Sequence, residues 1–320
     1  MIRPKIERFV PPEDAGCMLR QLVAAYGMLS LDEAHDLIAR GAVWLDRQRV
    51  QHPLFSVPDG TQLTVHFPPS GVYDNIRIAD DDILWEDETL LALNKRPGWH
   101  ANYTPWDVYG SIPFALTQFL SARDDITPKL HLAHQLDRDT SGVLLVSKEP
   151  SINPALQQLF LTEGMSKVYL AFASGHIGGA TFEVKTGHGR GRHGLFRVYP
   201  LVDVGMKLPY GTQKVRLMHT RFDLIARHPD ATLVRAMPIT GRTHQIRLHL
   251  AHIGHPLVGD TRYNGPTILN GQQVPHHLLH AAQLSFAHPR SGEQIVLEAP
   301  LPPTWTAITT SQSKSSLNDQ

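Results

Sequence analysis

The hydrophobic and polar positions of the first 70 residues predict two short helices followed by a small β region. Apolar residues spaced as on one helix face predict the first helix over 17–25; they are Leu19, Leu22 and Val23. A capping-box sequence, Ser30-Leu-Asp-Glu, predicts a second helix that ends at Ala39. Short β-prone runs separated by Asp-Arg, Pro and Asp-Gly turns follow over 41–67. Residues 12–70 are therefore predicted to form a small α+β domain.

The remainder of the chain has a different pattern. A Pro-Pro-Ser-Gly stretch and an acidic run predict a linker over 71–84. From residue 85 to 305, β-prone runs predominate, and the clearest helical patterns are 152–160 and 243–254. Strands and helices do not alternate regularly, so the pattern predicts an α+β domain with a mixed, largely antiparallel sheet and excludes a doubly wound sheet. The polar tail, 306–320, is predicted to be disordered.

Composition limits the class of protein without identifying it. The chain has 320 residues, 42% of them hydrophobic, which is enough for one large and one small core. A formal net charge of zero means that any surface that attracts an anionic partner must be local. The single cysteine, Cys17, cannot form an internal disulfide, and neither a signal-peptide pattern nor a long apolar run is present. We therefore expect a cytoplasmic protein that does not use a membrane.

The stretch His134-Gln-Leu-Asp-Arg-Asp-Thr-Ser-Gly142 places two acids and a base immediately before a buried strand. A carboxylate that acts as a nucleophile must be ionised, fixed in one rotamer and accessible, and a turn before a strand can provide all three conditions. Asp137 meets that description. An ordinary turn with solvated charges is the structural alternative. Paired carboxylates at Asp137 and Asp139 would also suggest a carbohydrate hydrolase, but side chains two residues apart in a turn or strand do not converge on one bond.

A basic region lies between Glu183 and Arg221. Eight basic and two acidic residues give this segment a local charge of +6 on a neutral chain. The segment contains glycines and is predicted to be a flexible loop from Gly187 to Arg216 that follows the phosphates of a nucleic acid. Its candidate phosphate contacts are Arg190, Arg192 and Arg197. A solvated loop without a ligand is the alternative.

Two other patterns do not indicate sites. The glycines at 189, 191 and 194 match a dinucleotide-binding fingerprint by spacing, but Arg and His fill the segment and no helix is predicted after it. Histidines at 244, 249, 252 and 255 lack cysteine or carboxylate partners at the spacing of zinc ligands. We therefore expect neither a nicotinamide cofactor nor a metal ion.

Longer motifs give the chain a family resemblance. ALNKRPGWHAN, HQLDRDTSGVLLVSK, KVYLAFASG, PITGRTHQIRLHLAHIGHPLVGDTRY and LLHAAQLSFAHP occur in this order. In sequence and spacing they resemble the RluA-type family of pseudouridine synthases, which convert uridine in structured RNA into its carbon-linked isomer. The resemblance covers about Glu86 to Pro303. It implies a pseudouridine synthase catalytic domain within the predicted α+β region.

The N-terminal region resembles a different module. LDEAHDLIARGAVWLD, with the turn at Asp59-Gly60 that leads into QLTVHF, is similar to the ribosomal S-four type of RNA-binding domain. A module of this kind before the catalytic domain resembles the RluC and RluD branch, whose members act on large-subunit ribosomal RNA. Candidate phosphate contacts in it are Arg20, Arg40, Arg47 and Arg49. A solvated rim is the equally weighted alternative for these arginines.

The resemblance implies three catalytic residues. The family's catalytic aspartate matches Asp137, its active-site tyrosine matches Tyr169, and the arginine that pairs with the aspartate matches Arg247. Asp137 would attack the anomeric carbon or carbon 6 of the base, or remove a sugar proton, and the sequence does not choose among these routes. Arg247 would keep Asp137 ionised through a bidentate pair. Tyr169 would stack on the flipped uracil and help remove the proton from carbon 5.

Substrate contacts are expected around these three residues. The resemblance suggests that they come from Asn94, Lys95, Arg138, Thr243 and His244, in addition to the basic segment. Lys95 would pack near the active-site loop or contact phosphate. The chain departs from the commonest family pattern at Gln135, where relatives have an arginine that takes the place of the flipped base. Glutamine can hydrogen-bond a base edge but lacks the charge and the stacking plane of arginine, so substrate choice or affinity is expected to differ.

The sequence therefore predicts a monomeric RNA pseudouridine synthase that acts on ribosomal RNA without a cofactor. A synthase that acts on transfer RNA is one alternative. A catalytically silent RNA-binding or ribosome-assembly factor with the same fold is another. The presence of Asp137, Tyr169 and Arg247 argues against the silent factor, and Gln135 leaves some room for it.

Overall fold

The computed structural model describes residues 5–162, 164–191, 195–208 and 213–305. The chain forms two compact units. The first contains the residues up to Ile78 and the segment Trp99–Pro128, and the second contains Ala79–Gly98 and the residues from Lys129 onward. The predicted tail, 306–320, lies outside the described residues. Within the described part of the chain, no helix is long and apolar enough to cross a membrane.

The two N-terminal helices are present where the sequence predicts them. Helix α1 is Leu19–Gly27, and helix α2 is Leu31–Ala39. Ser30 caps α2, since its hydroxyl accepts from the Glu33 amide at 3.2 Å while the Glu33 carboxylate accepts from the Ser30 amide at 2.8 Å. The apolar side chains that predicted α1 are buried in the core of the first unit. The prediction of both helices is confirmed.

A four-stranded antiparallel sheet completes this core. Its strands are β1 (Lys5–Phe9), β2 (Val43–Leu45), β3 (Gln48–Arg49) and β4 (Gln62–His66), in the order β1-β4-β2-β3. Leu63 and Val65 alternate with partly exposed residues along β4, so one face of the sheet covers the helices. The sequence did not predict β1. The assignment of this region to the ribosomal S-four type stays a prediction.

The first unit also contains residues that the sequence analysis assigned to the catalytic domain. Helix α3 (Ile112–Asp124) was not predicted, and it belongs to the segment Trp99–Pro128. The Trp44 indole donates to the Pro105 carbonyl at 2.9 Å, and the Val108 amide donates to the Arg40 carbonyl at 2.9 Å. These contacts join residues about 60 positions apart in the chain, which no local pattern shows.

The same contacts use two of the arginines considered for phosphate binding. Arg40 forms ion pairs with Asp36 at 2.8 Å and with Asp107 at 3.6 Å, and its guanidinium lies over the Tyr73 ring. Arg49 donates to the Thr104 carbonyl and lies over the Trp44 ring. Both side chains therefore hold the first unit together, while Arg47 remains exposed.

The predicted linker, 71–84, contains structured residues. Ile76 is buried in the first unit, and residues Asp80–Asp82 form a 3-10 turn at the start of the second. Asp82 is buried and accepts from Arg96 Nε at 2.7 Å. The acidic run therefore supplies an internal ion pair, because a buried carboxylate requires a partner.

A large sheet forms the second unit. Its central strands, in spatial order, are β11 (Phe196–Tyr199), β10 (Thr181–Arg190), β12 (Arg216–Arg227), β13 (Ala231–Pro238), β9 (Met165–Ser174), β16 (Leu279–Ala287), β8 (Ser141–Ser147), β6 (Leu90–Lys95) and β5 (Ile83–Glu86). Strand β17 (Gln294–Glu298) pairs with β16, and β7 (His131–Leu132) pairs with β8. A separate hairpin consists of β14 (Ile268–Leu269) and β15 (Gln272–Gln273).

Antiparallel pairing predominates in this sheet. Among the described strand pairs, only β8 and β16 run parallel, and they do so over two residue pairs. Helices α4 (Asn153–Leu161) and α5 (Gln245–His252) supply apolar side chains to separate cores. In β9, Ala171 and Ala173 face the core that contains Ile246 of α5, while Phe172 faces the opposite core. The predicted α+β class with a mixed, largely antiparallel sheet is confirmed.

The predicted flexible loop from Gly187 to Arg216 is partly wrong. Gly187 and Gly189 lie in β10 and pair with Tyr199 and Arg197 of β11. The space beside these glycines is occupied, since a Cβ on Gly189 would lie 2.6 Å from the Leu208 side chain. Glycine here permits close packing of a hairpin, which is a different use from the flexibility that the composition indicated.

Gly142 lies where the parallel strands β8 and β16 meet. Its φ is +106°, and a Cβ at this position would lie 2.2 Å from the Ala281 carbonyl oxygen. Both the backbone conformation and the neighbouring strand therefore require glycine. Because Gly142 ends the turn that begins at Asp137, the same constraint fixes the position of that turn.

We expect Gly142→Ala to destabilise the protein by at least about 3 kcal/mol, since the left-handed conformation and the contact with a neighbouring backbone both oppose a side chain. Gly271→Ala is the matched control, because Gly271 has a φ of +75° but no atom within 4 Å of its Cβ position. The control should lose only about 1 kcal/mol. Thermal denaturation of both variants measures the difference. Equal losses would show that Ala281 moves aside at little cost.

Candidate active site

The turn that carries Asp137 is held from three directions. Lys95 is fully buried, and its ammonium donates to the carbonyls of Arg138 at 2.6 Å and Thr140 at 2.8 Å. The Thr140 hydroxyl shares a hydrogen bond of 2.9 Å with His277. The Ser141 hydroxyl shares another of 2.9 Å with His280. The turn is therefore a fixed support for Asp137.

Arg247 of α5 links Asp137 to a second carboxylate. Its Nη1 donates to Asp137 Oδ2 at 2.7 Å. Its Nε and Nη2 donate to the two oxygens of Asp260 at 2.7 and 2.9 Å. The family resemblance implies a bidentate pair at Asp137, and that predicted geometry is wrong. Asp260 takes the bidentate edge of the guanidinium, so Asp137 keeps Oδ1 free of Arg247.

The surroundings of Asp137 favour its ionised form. Burial alone would raise its pKa, but His244 and Arg247, together with the hydrogen bond from Arg247, lower the pKa below its ordinary value. Burial lowers the pKa of His244 to about 4 against the attraction of Asp137. His244 is therefore uncharged at neutral pH, and Arg247 supplies the permanent positive charge. Asp137 is a carboxylate with 23% of its side chain exposed.

His244 approaches Asp137 from the residue before α5. Its backbone is left-handed, with a φ of 58°, and its Nε2 lies 3.7 Å from Asp137 Oδ1. Its Nδ1 shares a hydrogen bond of 2.7 Å with the Tyr263 hydroxyl. Burial raises the pKa of Tyr263 to about 12, so Tyr263 remains a neutral phenol. These contacts fix the imidazole beside the carboxylate.

A cleft of about 390 Å³ opens beside Asp137. Asp137, Tyr169 and Arg247 all line it, as do Gln135, Thr243 and His244. The predicted catalytic residues, which come from a turn, a strand and a helix, therefore meet in one place. The volume is within the range of pockets that hold a small organic group.

Tyr169 lies on β9 in the wall of this cleft. Burial, with a further effect from Asp137, raises its pKa well above the ordinary value. The phenol is therefore neutral at physiological pH. A neutral ring suits stacking or hydrogen-bond donation, whereas a base that removes a proton would have to be a phenolate.

Several residues predicted to contact substrate lie elsewhere. Lys95 is 0% exposed and supports the turn, which matches the first of its two predicted roles, packing near the active-site loop, and not the contact with phosphate. Asn94 is half-buried in β6 opposite Val143. Arg138 lines a separate depression between Asp137 and Asp260, where it pairs with Asp139 at 3.3 Å. None of these three residues lines the main cleft.

The predicted arginines of the basic segment do not lie together in the described structure. Arg190 lies at the end of β10, with its guanidinium 4.9 Å from the centre of the Phe196 ring. Arg197 lies over the Tyr199 ring at 5.0 Å. Arg192 falls outside the described residues. Arg190 and Arg197 therefore do not form one contact group.

Sequence reasoning missed several residues of the site. Asp260 is buried, and it was quoted within the VGDTRY motif without a role. Lys167 lines the cleft two positions before Tyr169, and burial lowers the pKa of its ammonium. His134 stacks on Phe160 at 4.9 Å, and its Nε2 accepts from the Leu145 amide. Asp260 and Lys167 are ionisable residues inside the quoted motifs, so the sequence offers both as candidates, whereas the Phe160 contact needs the structure.

The described residues contain no cluster of three or more histidine, cysteine, aspartate or glutamate side chains that could hold a metal ion. The arrangement present is an ionised carboxylate, a paired guanidinium and a neutral phenol around an organic-sized cleft. Residues 89–252, which include all three, match the RNA pseudouridylate synthase family. The chain belongs to the RluA-type pseudouridine synthases.

Relatives support this membership along most of the chain. RNA pseudouridine synthase 1 of Arabidopsis thaliana is 36% identical over 71% of this chain and 76% of its own length. The ribosomal large subunit pseudouridine synthase C of Yersinia pestis is 33% identical over 83% of this chain and 82% of its own length. The fold is similar to that of human RNA pseudouridylate synthase domain containing 4, with a TM-score of 0.56 and 23% identity over 71% of this chain and 90% of that chain. This pseudouridine synthase is therefore an enzyme of RNA modification.

We expect Asp260→Asn to destabilise the synthase by about 3 kcal/mol, because it leaves the buried Arg247 without its bidentate partner. Asp223→Asn is the matched control, since Asp223 pairs with Arg235 at 3.8 Å where both side chains are at least one-third exposed. The control should change stability by less than about 1 kcal/mol. Urea unfolding of both variants gives the comparison. A midpoint for Asp260→Asn equal to that of the control would contradict a supporting role for this carboxylate.

Proposed function

We propose that this synthase isomerises specific uridines in large-subunit ribosomal RNA, with Asp137 as the catalytic carboxylate. The observation that carries the proposal is the position of Asp137, an ionised carboxylate bonded to Arg247 at 2.7 Å in the wall of a cleft. Moving a glycosidic bond from nitrogen to carbon requires that the base be detached, rotated and rejoined. One carboxylate in the cleft can hold the detached fragment while the base rotates, and after its release it can accept the proton that the new bond displaces from carbon 5.

The position of the free oxygen supports a direct role for Asp137. Arg247 binds Oδ2, while the nearest partner of Oδ1 is His244 Nε2 at 3.7 Å, which is longer than a hydrogen bond. Oδ1 is thus available to attack the anomeric carbon or carbon 6, or to accept a sugar proton. All three routes use the same ionised oxygen.

Tyr169 is proposed to stack on the detached uracil. Its ring lies in the wall of the cleft that Asp137 lines, and its phenol is neutral. A neutral aromatic ring can hold the base while the base rotates, because stacking does not depend on one hydrogen-bond direction. The raised pKa disfavours Tyr169 as the base that removes the carbon 5 proton at neutral pH.

The target uridine is proposed to leave its stack before it reacts. The walls of the cleft come from α5, β9 and the turn before β8. A base that is stacked inside an RNA helix could therefore not reach Asp137. Gln135 is exposed at the cleft and precedes the buried Leu136. It can hydrogen-bond the edge of the base left unpaired in the RNA, with less affinity than an arginine would provide.

Two alternative functions are less well supported. The carbohydrate hydrolase requires a second carboxylate beside the bond that breaks, whereas Asp139 pairs with Arg138 and does not line the main cleft. The silent factor would not need the ionised Asp137 that Arg247 and Asp260 support. Ribosomal RNA is favoured as substrate by the Yersinia pestis relative, whose name states the large ribosomal subunit. Transfer RNA is the second candidate.

We expect Asp137→Asn to abolish isomerisation and to leave RNA affinity within a few-fold, since the change removes a reacting oxygen and no phosphate contact. Asp139→Asn is the matched control, because it removes a carboxylate two positions away and should retain activity within about threefold. The measurement is a carbodiimide primer-extension map of pseudouridine in ribosomal and transfer RNA. The RNA comes from cells that lack the protein and are complemented with each variant.

Stops that vanish on deletion and return with Asp139→Asn but not with Asp137→Asn would identify both the target and the catalytic residue. Activity that persists in Asp137→Asn would eliminate Asp137 as the catalytic carboxylate. Stops found only in transfer RNA would show that transfer RNA, and not ribosomal RNA, is the substrate. The absence of any lost stop would favour the silent factor.

We expect Gln135→Ala to lower kcat/KM by about threefold to tenfold, the loss of one hydrogen bond to an unpaired base. Gln135→Arg is the companion variant and should restore or exceed the original value, because arginine adds charge and a stacking plane. Pseudouridine formation on unmodified transcripts of the mapped RNA measures both. A kcat/KM that neither variant changes would show that Gln135 does not contact the RNA.

A further inference from the structure

A second cleft of about 220 Å³ lies beside the catalytic cleft. Its walls are the end of β10, the start of β11, residues 213–216 and the turn 241–243. Gly241, Arg242 and Thr243 line both clefts. The two clefts are therefore neighbours on opposite sides of one turn.

Positive charge is concentrated in this second cleft. Arg190, Lys214, Arg216 and Arg242 line it, and no aspartate or glutamate occurs among its described lining residues. The described part of the chain provides no ion pair for any of these four side chains, although other arginines of the same unit do have carboxylate partners, such as Arg221 with Glu183 at 2.6 Å. Like charges held together without a counter-charge are unfavourable unless an anion binds between them.

The fold holds Arg242 in place despite this repulsion. Its Nε donates to the Leu217 carbonyl at 3.1 Å, and its amide donates to Gln245 Oε1 at 3.1 Å. Gln245 is buried and also bonds the Thr240 hydroxyl at 2.7 Å. Burial and the nearby Arg216 both lower the pKa of Arg242, which is the direction expected for a cation that lacks an anionic partner. These hydrogen bonds therefore fix the turn 241–243 in the absence of a ligand.

An aromatic group connects this cleft to Asp137. Phe196 stacks on His188 at 5.1 Å with an interplanar angle of 15°, and the Arg190 guanidinium lies over the same ring. The His188 Nε2 donates to the Thr243 carbonyl at 3.1 Å. Phe196 also contacts His244 in a T-shaped arrangement with ring centroids 5.7 Å apart, and His244 Nε2 lies 3.7 Å from Asp137 Oδ1. A strand of RNA with one nucleotide at Asp137 would thus present neighbouring phosphates to the cations.

We propose that the cleft of Arg190, Lys214, Arg216 and Arg242 binds the backbone phosphate of a nucleotide next to the modified uridine. The inference rests on the proposed function for the identity of the ligand as RNA. It keeps Arg190 from the arginines that the sequence suggested and adds Lys214, Arg216 and Arg242. Arg197 lies over Tyr199 and does not line the cleft, and Arg192 falls outside the described residues. Arginine and lysine without competing carboxylates are the side chains that bind phosphate.

The test compares two triple variants that remove the same charge. Arg190→Gln, Lys214→Gln and Arg216→Gln together neutralise the exposed cations of the cleft. The control combines Arg221→Gln, Arg235→Gln and Arg290→Gln, which are exposed and pair with carboxylates of the same unit. Affinity of the full chain for large-subunit ribosomal RNA transcribed in vitro is measured between 50 and 300 mM salt.

We expect the cleft variant to reduce the slope of log Kd against log salt by about 0.7, because the cleft binds one phosphate and each lost phosphate contact to a single strand contributes about 0.7. The control should change the slope by less than about 0.2, because exposed charges that do not contact phosphate are screened by salt. A third variant, Arg190→Lys with Arg216→Lys, retains the charge and should keep the slope of the original protein. It also separates lost charge from faulty folding.

Equal slope changes in the cleft variant and the control would overturn the proposal, since net charge alone would then explain the effect. An unchanged slope in the cleft variant would also overturn it. Pseudouridine formation by the unaltered protein on the same RNA keeps the two proposals distinct. If the unaltered protein forms pseudouridine but the cleft variant leaves the salt slope unchanged, only the proposed phosphate site is wrong. If the cleft variant lowers the slope but the unaltered protein forms no pseudouridine on any RNA, only the proposed function is wrong.

Discussion

The active site depends on one guanidinium that is shared between two carboxylates. Arg247 has only 8% of its side chain exposed, and a charge this buried is stable only if its donors are satisfied. Asp260 accepts from Nε and Nη2 and thereby fixes the orientation of the group. With the guanidinium fixed in this orientation, its remaining nitrogen, Nη1, donates to Asp137 Oδ2. Removing a single partner would leave an uncompensated buried charge, so the three residues form one unit.

The chemistry requires a rigid carboxylate, and the surrounding fold provides it by burying polar groups. Lys95 is an unusual support, because a fully buried lysine must find acceptors, and it finds them in the carbonyls of the catalytic turn. Burial lowers its pKa to about 7, with Asp139 and Asp137 acting in the opposite direction. Thr140 and Ser141 extend the support to His277 and His280. These contacts fix the position of the turn in the absence of substrate.

The two clefts divide the tasks of an RNA-modifying enzyme. The first contains a carboxylate and a neutral ring, which suit a base, and the second contains cations without carboxylates, which suits a phosphate. Residues 241–243 separate them, held by Gln245. In the two proposals, reaction and strand recognition use clefts that share one short turn, so the geometry of one cleft constrains the other.

The sequence by itself determined the features that depend on neighbouring residues. Helix spacing and the Ser30 capping box gave α1 and α2, β-prone runs gave most strands, and the motifs around Asp137, Tyr169 and Arg247 gave the family and the core of the site. It missed α3 and the contacts of residues 99–128 with Arg40 and Trp44, because those contacts are long-range. Only the tertiary structure decided that Asp260 takes the bidentate edge of Arg247 and that Lys95 faces inward. Residue type shows what a side chain can bind, but its partners depend on which distant strands and helices the fold brings together.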